Sequence, residues 1–248
     1  MARYQTGIAG LAVHSTPAAA AQDLAQRIID LVRVKPDAVL GLATGGTMEP
    51  VYAALIAAHR DGLSFARVTS FNLDEYLGLP GSHPASYRAT MQRLLFDHID
   101  LDPVNTHLPD GMAANLVAEA VDYERRIAAA GGIDLQILGI GRNGHIGFNE
   151  PGSAAGSRTR AVNLTASTIE ANTRFFAEGE AQPDRAITMG IGTIMEAREV
   201  AVLATGMSKA QALSQALTGP VGPACPASTL RDHPAACWIA DAEAASLL

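Results

Sequence analysis

The residues best suited to chemistry lie in one glycine-rich stretch, Asp134 to Ser153, which reads DLQILGIGRNGHIGFNEPGS. Among its glycines stand two amides, a histidine and a carboxylate: Asn143, His145, Asn149 and Glu150. An imidazole exchanges protons readily near neutral pH, and a neighbouring amide or carboxylate can fix which ring nitrogen carries the proton. The stretch is therefore predicted to do acid–base chemistry, and a plain surface turn is the alternative.

The residues before the histidine indicate where this stretch lies in the fold. The segment from Leu135 to Ile140 is a mostly apolar run, typical of a strand buried on both faces. The glycines that follow allow backbone angles closed to other residues, so a ligand can approach closely. Open α/β sheets carry ligands and catalytic groups in loops at the carboxyl ends of their strands. We therefore expect the histidine at that edge of a sheet.

Composition and charge restrict the class of protein. The chain has 248 residues, of which 48% are hydrophobic, so it can bury a large core within one α/β domain over residues 1–248. The formal charge is -7 and no Lys/Arg cluster occurs, which disfavours nucleic-acid binding. No apolar run is long enough to span a bilayer, and Cys225 and Cys237 are too few for a disulfide framework. These features predict a cytoplasmic protein without a membrane partner.

A second glycine-rich loop, Ala43 to Thr47, follows the short apolar strand Ala38 to Leu42 and precedes a helix. Loop N–H groups and a helix N-terminus present partial positive charge to an anion, and threonine hydroxyls add donors. The spacing matches neither of the common nucleotide-binding patterns, so it does not specify a nucleotide. A phosphate cradle is one interpretation of this loop, and a tight strand-to-helix turn is the other.

Two carboxylates and two cations complete the set of candidate site residues. Asp74 and Glu75 stand at the carboxyl end of a predicted strand, Val68 to Leu73. Neighbouring strand side chains point to opposite faces, so only one of the two is expected to enter a site, unless both are solvated loop carboxylates. Arg174 lies on a predicted helix and Lys209 in the first turn of another, where a cation opposes the helix dipole unless an anion is nearby.

Strands and helices alternate along the chain, which favours an α/β fold with a parallel sheet covered on both faces. No metal-ligand spacing and no serine or cysteine nucleophile motif occurs, so metal catalysis and acyl transfer are disfavoured. Acid–base work on a small phosphorylated substrate, with no metal and no cofactor, remains. The residues alone lead to proton transfer on a sugar phosphate and no further.

Four segments resemble the glucosamine-6-phosphate deaminase family, and its shorter bacterial form most closely. They are Gly41 to Thr47, Phe71 to Tyr87, Gly139 to Ser153 and Ser157 to Phe176, and the resemblance covers nearly the whole chain. It implies a single Rossmann-like α/β/α sandwich with a mostly parallel central sheet. It also implies an enzyme of amino-sugar catabolism that converts glucosamine 6-phosphate and water to fructose 6-phosphate and ammonia.

The resemblance implies roles for individual residues. His145 is the base that opens the pyranose ring, working with Glu150 and Asn143. Asp74 then moves a proton from C2 to C1 through an enolamine, and water hydrolyses the resulting ketose imine. The implied contacts to the substrate phosphate are Thr44, Gly45, Gly46, Thr47, Arg174 and Lys209.

Two departures from the family pattern bear on function. Asn143 stands where many relatives have Asp, so its role here must be hydrogen bonding rather than ionisation. Long, hexameric members are activated by N-acetylglucosamine 6-phosphate through a lysine and a tyrosine. Val162 holds the place of that lysine, and the chain ends at Leu248 without the extension that carries the tyrosine. Whether this chain is a monomer or a homo-oligomer stays open.

Two other functions are alternatives. The 6-phosphogluconolactonases share the cradle but hydrolyse an ester, and the segments FNLDEY and GHIGFNEP favour the deaminase over them. Some transcriptional regulators use this fold to sense sugar phosphates without turnover, with a DNA-binding segment ahead of it. We expect no room for such a segment before the strand near Ala38, and the negative charge of the chain also disfavours DNA binding.

The valine at position 162 predicts weak or no activation by N-acetylglucosamine 6-phosphate. We expect turnover to depend hyperbolically on glucosamine 6-phosphate, with the same half-saturating concentration with and without the N-acetyl sugar phosphate. Steady-state kinetics, run alongside light scattering for the oligomeric state, check this. A sigmoidal curve that the N-acetyl sugar phosphate turns hyperbolic would contradict the prediction.

Overall fold

The computed structural model describes residues 8, 10–173, 176–177 and 179–248. These residues form a seven-stranded parallel sheet and a separate three-stranded antiparallel sheet, flanked by helices. In chain order the elements are β1 (Leu11–His14), α1 (Pro17–Val34), β2 (Val39–Leu42), α2 (Glu49–Arg60), β3 (Thr69–Asn72), β4 (Asp74–Tyr76), α3 (Tyr87–Leu94), β5 (Thr106–His107), α4 (Leu116–Ala129), β6 (Leu135–Gly139), β7 (Arg160–Asn163), α5 (Ala166–Asn172), β8 (Arg185–Thr188), α6 (Ile191–Met195), β9 (Glu199–Ala204), α7 (Ala210–Thr218) and β10 (Ala236–Asp241).

The large sheet has the strand order β1-β10-β9-β6-β2-β3-β5, and all of its pairings are parallel. The predicted α/β fold with a mostly parallel central sheet is therefore confirmed. The strands that follow β2 in the chain, β3 and β5, extend the sheet on one side, and β6 then returns to pair with β2 on the other. A doubly wound sheet opens a crevice for ligands where the strand order reverses in this way.

The central strands are buried on both faces, as their apolar sequences predict. Leu40 and Leu42 of β2 and Leu135 and Ile137 of β6 are all buried. One large apolar core runs through this sheet and the helices around it, and a small cluster surrounds the antiparallel sheet. That the chain forms a single domain over residues 1–248 stays a prediction.

Side chains at the starts of the helices satisfy backbone groups that the helix itself leaves without partners. The Thr16 side chain accepts a hydrogen bond from the backbone N–H of Ala19 at 3.1 Å, with Pro17 in the first turn of α1. Ser86 accepts one from the N–H of Ala89 at 3.0 Å at the start of α3. Such caps fix where each helix begins and hence where its first side chains point.

The three-stranded sheet, in the order β4-β8-β7, departs from the strictly alternating pattern expected from the sequence. β4 follows β3 after Leu73 alone, which leaves no room for the crossover that a parallel pairing needs. It pairs antiparallel with β8 instead, so that Asp74 lies opposite Thr188. β7 pairs antiparallel with the other side of β8. This small sheet fixes Asp74 beside the carboxyl edge of the large one.

Candidate active site

Asn143, His145 and Glu150 form a hydrogen-bonded chain in the loop after β6. Nδ1 of His145 lies 2.7 Å from Oδ1 of Asn143, and Nδ2 of Asn143 donates to Oε2 of Glu150 at 2.7 Å. A carboxylate only accepts hydrogen bonds, so Glu150 fixes the orientation of the amide. The amide oxygen in turn needs a donor, which places the imidazole proton on Nδ1 and leaves Nε2 of the neutral ring with a free electron pair. The arrangement suits His145 to take up a proton.

Glu150 is held in its ionised form by the groups around it. Burial raises its pKa, but the nearby His145, whose Nδ1 lies 3.5 Å from Oε2, and the hydrogen bonds from Thr168 and Asn143 lower the pKa to about 2. Oγ1 of Thr165 donates to Oε1 of the carboxylate at 3.2 Å, and Oγ1 of Thr168 donates to the same oxygen. Glu150 is therefore an anion at neutral pH that orients the amide and, through it, the imidazole.

The glycines of this loop make room for close packing. A Cβ on Gly141 would clash with the imidazole ring of His145, so the ring packs directly on the backbone there. Gly144 has a φ of 82°, and a Cβ on it would clash with Sγ of Cys225. A Cβ on Gly147 would lie 3.3 Å from Oδ2 of Asp74, which shows how close that carboxyl lies to the loop.

Both ends of the loop are hydrogen-bonded to a short segment near the end of the chain, Gly222 to Ala227. The N–H of Ala227 donates to the carbonyl of Gly144 at 2.9 Å, and the N–H of Gly152 donates to the carbonyl of Pro223 at 2.8 Å. The sequence indicates only a Pro/Gly connection here. In the structure, these two hydrogen bonds attach the connection to the loop that carries His145.

Asp74 and Glu75 are both buried, so the alternative that they are solvated loop carboxylates is wrong. Glu75 points away from the loop: its Oε1 accepts from the N–H groups of Tyr76 and Tyr87 at 2.8 and 2.9 Å, and its Oε2 accepts from the N–H of Arg88 at 2.9 Å. Only Asp74 faces the loop, as the alternation along a strand predicts. Burial raises the pKa of Asp74 well above its usual range, and the charge of Glu75 raises it further.

The predicted cradle, Thr44 to Thr47, lies between β2 and α2 at the same edge of the sheet. Its two threonines are half-buried and its two glycines, Gly45 and Gly46, are exposed. The helix that follows has no side chain bonded to its first N–H groups, since Met48 stands at the N-cap. N–H groups that end a helix in this way can bind an anion.

Of the two predicted cations, Lys209 lies among the described residues and Arg174 does not. Lys209 is half-buried at the end of a single 3-10 turn that leads from β9 into α7. Because β9 pairs with β6, Lys209 lies at the same edge of the sheet as the loop with His145. Arg174 lies outside the described residues, so its contact with a phosphate stays a prediction.

Some site residues differ from what the sequence indicates. Asn149 has a structural rather than a reactive role. Its Nδ2 donates to the carbonyls of Ile146 and Met189. Its Oδ1 accepts from Nη1 of Arg160 at 2.9 Å. The two threonines bonded to Glu150 were missed. Thr165 is the N-cap of α5, and a threonine directly before a helix is the signal that could have pointed to it.

A surface cavity of about 460 Å³ lies elsewhere, between α1 and α2. Its lining includes Gln22, Gln26 and Ala57 but none of the predicted acid–base residues. The carboxyl edge of the sheet instead joins an oriented imidazole, a buried carboxyl with a raised pKa and the loop that is predicted to be a phosphate cradle. We therefore place the candidate active site there.

Known proteins are similar to this chain over most of its length. Residues 14–238 match the family described as glucosamine-6-phosphate isomerases/6-phosphogluconolactonase. The chain is 58% identical over 225 residues to the glucosamine-6-phosphate deaminase of Shewanella loihica, which covers 90% of this chain and 84% of that protein. It is 54% identical over 237 residues to the enzyme of the same name from Hahella chejuensis, covering 95% and 90% respectively.

Two solved structures are similar to different degrees. One is described as a monomeric glucosamine-6-phosphate deaminase, with a TM-score of 0.93, 44% identity and coverage of 96% of this chain and 99% of that one. The other is the 6-phosphogluconolactonase of Trypanosoma cruzi, with a TM-score of 0.78, 22% identity and coverage of 96% of both chains. The second likeness shows the shared fold alone.

The packing of His145 on Gly141 gives a test of the loop geometry. We expect Gly141→Ala to lower turnover of glucosamine 6-phosphate, the substrate implied by the resemblance, by about 100-fold, because the added methyl group displaces the imidazole. Gly156→Ala is the matched control, since a Cβ there meets no atom within 4 Å. Release of ammonia measures turnover, and thermal melting checks the fold. Equal losses in the two variants, with both folded, would contradict the assigned geometry.

Proposed function

The chain belongs to the family of glucosamine-6-phosphate isomerases and 6-phosphogluconolactonases, and we propose that it is a glucosamine-6-phosphate deaminase. It converts glucosamine 6-phosphate and water to fructose 6-phosphate and ammonia, in amino-sugar catabolism. Relatives that are 52 to 58% identical carry the deaminase name. The single observation that carries the proposal is that the buried carboxyl of Asp74 lies against the loop that holds the oriented imidazole of His145, with Oδ2 of Asp74 3.3 Å from the position of a Cβ on Gly147.

Ring opening uses the hydrogen-bonded chain after β6. Nε2 of His145 takes the proton of the anomeric hydroxyl group of the sugar, and a proton passes to the ring oxygen as the C1–O bond of the ring breaks. Asn143 holds Nδ1 at 2.7 Å, and the ionised Glu150 holds Asn143. The charge of Glu150 stabilises the imidazolium that forms, much as the carboxylate of a catalytic triad does.

Isomerisation uses Asp74. The carboxylate removes the proton from C2 of the open-chain sugar, which gives an enolamine, and the same group returns a proton to C1. Water then adds to the ketose imine at C2, and the C–N bond breaks to release ammonia. Because burial raises the pKa of Asp74, its carboxylate is a stronger base than a solvated one.

The phosphate of the substrate is bound by the cradle, Thr44 to Thr47, together with Lys209 and with Arg174. The exposed N–H groups before α2 and the cation after β9 lie at one edge of the sheet, which supports this assignment. A dianionic phosphate there also offsets the unfavourable position of a lysine at the start of a helix. The proposed reaction uses no metal and no cofactor.

We also propose a cytoplasmic protein that binds neither nucleic acid nor membranes. Among the described residues, no helix has the length and apolar character needed to cross a membrane. Cys225 and Cys237 are both free, as is usual in a reducing compartment, and the formal charge is -7. The oligomeric state stays open, although one similar solved structure is described as monomeric.

Removal of the carbon-acid base is the direct test of this function. We expect Asp74→Asn to lower kcat by about 10²- to 10⁴-fold, the usual contribution of a general base, while KM changes little. The exposed carboxylate Asp97 provides the matched control, Asp97→Asn, which should keep wild-type turnover. A coupled assay of ammonia release from glucosamine 6-phosphate measures both variants. Hydrolysis of 6-phosphogluconolactone without ammonia release by the wild-type chain would instead favour the lactonase.

The pH dependence of kcat/KM tests the environment of Asp74. Its carboxyl must be ionised to act, so kcat/KM should rise with pH through a pKa well above the value of about 4 of a solvated carboxyl. Glu150, with a pKa of about 2, remains ionised throughout this range and does not cause the rise. Because the charge of Glu75 raises the pKa of Asp74, Glu75→Gln should move the rise to lower pH. A shift to higher pH in that variant would disprove the assignment.

A further inference from the structure

The backbone turn that is bonded to the histidine loop is closed by the side chain of Ser228, which has no role in the reaction proposed above. This turn, Gly222 to Ser228, includes the start of a 3-10 helix, Pro226–Asp232. The hydroxyl oxygen of Ser228 accepts from the N–H of Gly222 at 3.0 Å, and the hydroxyl group donates to the carbonyl of Gly222 at 3.4 Å. The N–H of Ser228 also donates to the carbonyl of Cys225 at 2.8 Å. Ser228 is fully buried, so bulk water cannot replace these bonds.

The Gly222–Ser228 turn reaches both ends of the histidine loop through backbone groups. The carbonyl of Pro223 accepts from the N–H of Gly152, and the N–H of Ala227 donates to the carbonyl of Gly144, as described above. Gly144 directly precedes the histidine, and Gly152 follows the carboxylate of the loop by two residues. One turn therefore fixes two points of the loop, one on each side of its reactive groups.

A side chain of the turn also packs on the loop. The position of a Cβ on Gly144 would lie 2.4 Å from Sγ of Cys225, so the sulfur rests directly on the backbone beside His145. Gly144 has a φ of 82°, a conformation that favours glycine. Burial raises the pKa of the Cys225 thiol, which is therefore protonated at neutral pH. The thiol thus serves as a small packing group rather than as a nucleophile.

We infer that the Gly222–Ser228 turn positions the imidazole of His145, with Ser228 as the positioning residue that closes the turn. The imidazole and Glu150 are joined through the amide of Asn143, and both hydrogen bonds are 2.7 Å long. One amide can make both bonds only while the two ends of the loop keep their separation, because hydrogen bonds weaken steeply when their geometry is disturbed. The inference rests on the proposed function, in which His145 is the base of ring opening.

Loss of the Ser228 hydroxyl should act on the proton position of His145. In the wild-type chain the Nδ1–H group donates to the amide oxygen of Asn143, which leaves Nε2 free to take up a proton. When the loop ends move, the ring loses this fixed partner and populates both tautomers. Molecules with the proton on Nε2 cannot act as the base. The phosphate cradle lies in another loop, so we expect substrate binding to change little.

The test is Ser228→Ala, first measured without substrate. Nitrogen-15 NMR of labelled histidine reports the tautomer, and His145→Gln identifies the signals of His145 among the seven histidines. We expect the Nδ1–H form in the wild-type chain and an average of both tautomers in the variant. The N–H groups of Gly152 and Ala227 should exchange with deuterium about 10-fold faster in the variant, because their acceptors are less firmly held.

Turnover gives the second measurement. We expect Ser228→Ala to lower kcat for ammonia release about 10-fold with KM within about threefold of wild type, because misplacement of a reacting group slows chemistry more than binding. Cys225→Val tests the turn independently, since the larger side chain presses on Gly144, and it should give the same NMR change and the same fall in kcat. Cys225→Ser keeps a small side chain there and should retain the wild-type tautomer.

The matched control is Ser86→Ala at the start of α3. Ser86 is also fully buried, and its hydroxyl also makes two hydrogen bonds to the backbone: it accepts from the N–H of Ala89 and donates to the carbonyl of Gly81, both at 3.0 Å. This variant should lower the melting temperature but keep the wild-type tautomer of His145 and the wild-type exchange of the Gly152 N–H group.

Three results would overturn the inference: an unchanged tautomer in folded Ser228→Ala and Cys225→Val, unchanged exchange of the Gly152 and Ala227 N–H groups in Ser228→Ala, or the same NMR change in Ser86→Ala. Thermal melting shows which variants are folded. Absence of ammonia release by the wild-type chain would overturn the proposed function instead. Because the NMR and exchange measurements need no substrate, the two failures are distinguishable.

Discussion

The candidate active site depends on the parallel pairing of β2 with β6, which brings two loops from distant parts of the chain to one edge. Gly41 of β2 lies opposite Gln136 of β6. A Cβ on Gly41 would clash with the buried side chain of Gln136, so glycine is what allows the two strands to pack around that side chain. Because the strands are parallel, the cradle after β2 and the histidine loop after β6 leave the sheet side by side. Asp74 follows β3 as the first residue of β4, and Lys209 follows β9; β3 and β9 are the strands on either side of this pair.

Two buried carboxylates at this edge show how hydrogen-bond donors decide the charge of a group. Burial raises the pKa of Glu150, but its interactions with His145, Thr168 and Asn143 outweigh burial and lower the pKa. Asp74 has burial and a neighbouring carboxylate acting together, and both raise its pKa. Glu150 is thus an anion that orients other groups, whereas Asp74 is a base that can take up and release a proton. The same chemical group serves two purposes because its surroundings differ.

Sequence patterns predict much of the large sheet and the loops at its edge, because apolar runs and glycine-rich turns are local signals. The separate sheet has no such local signal: β4 is only Asp74 to Tyr76, and its partner strand, β8, lies more than 100 residues further along the chain. The burial of Glu75 against the N–H groups of α3 is equally non-local. The hydrogen bonds from the segment Gly222 to Ala227 to the histidine loop could not be predicted either, because the sequence of a Pro/Gly connection does not show which residues it contacts. The roles of Asp74 and His145 come from the resemblance to the family, and the groups around them are known from the structure.

The position of β1 at the edge of the sheet has a consequence for how the protein is made. β1 pairs with β10, which lies more than 200 residues later in the chain, and β10 also pairs with β9. During synthesis β1 leaves the ribosome long before β10, so its backbone groups have no strand partner in this sheet until β10 follows. The segment Gly222 to Ala227, which is hydrogen-bonded to the histidine loop, is also translated late, some 70 residues after that loop. A nascent chain can thus bury its central strands well before it acquires a competent site.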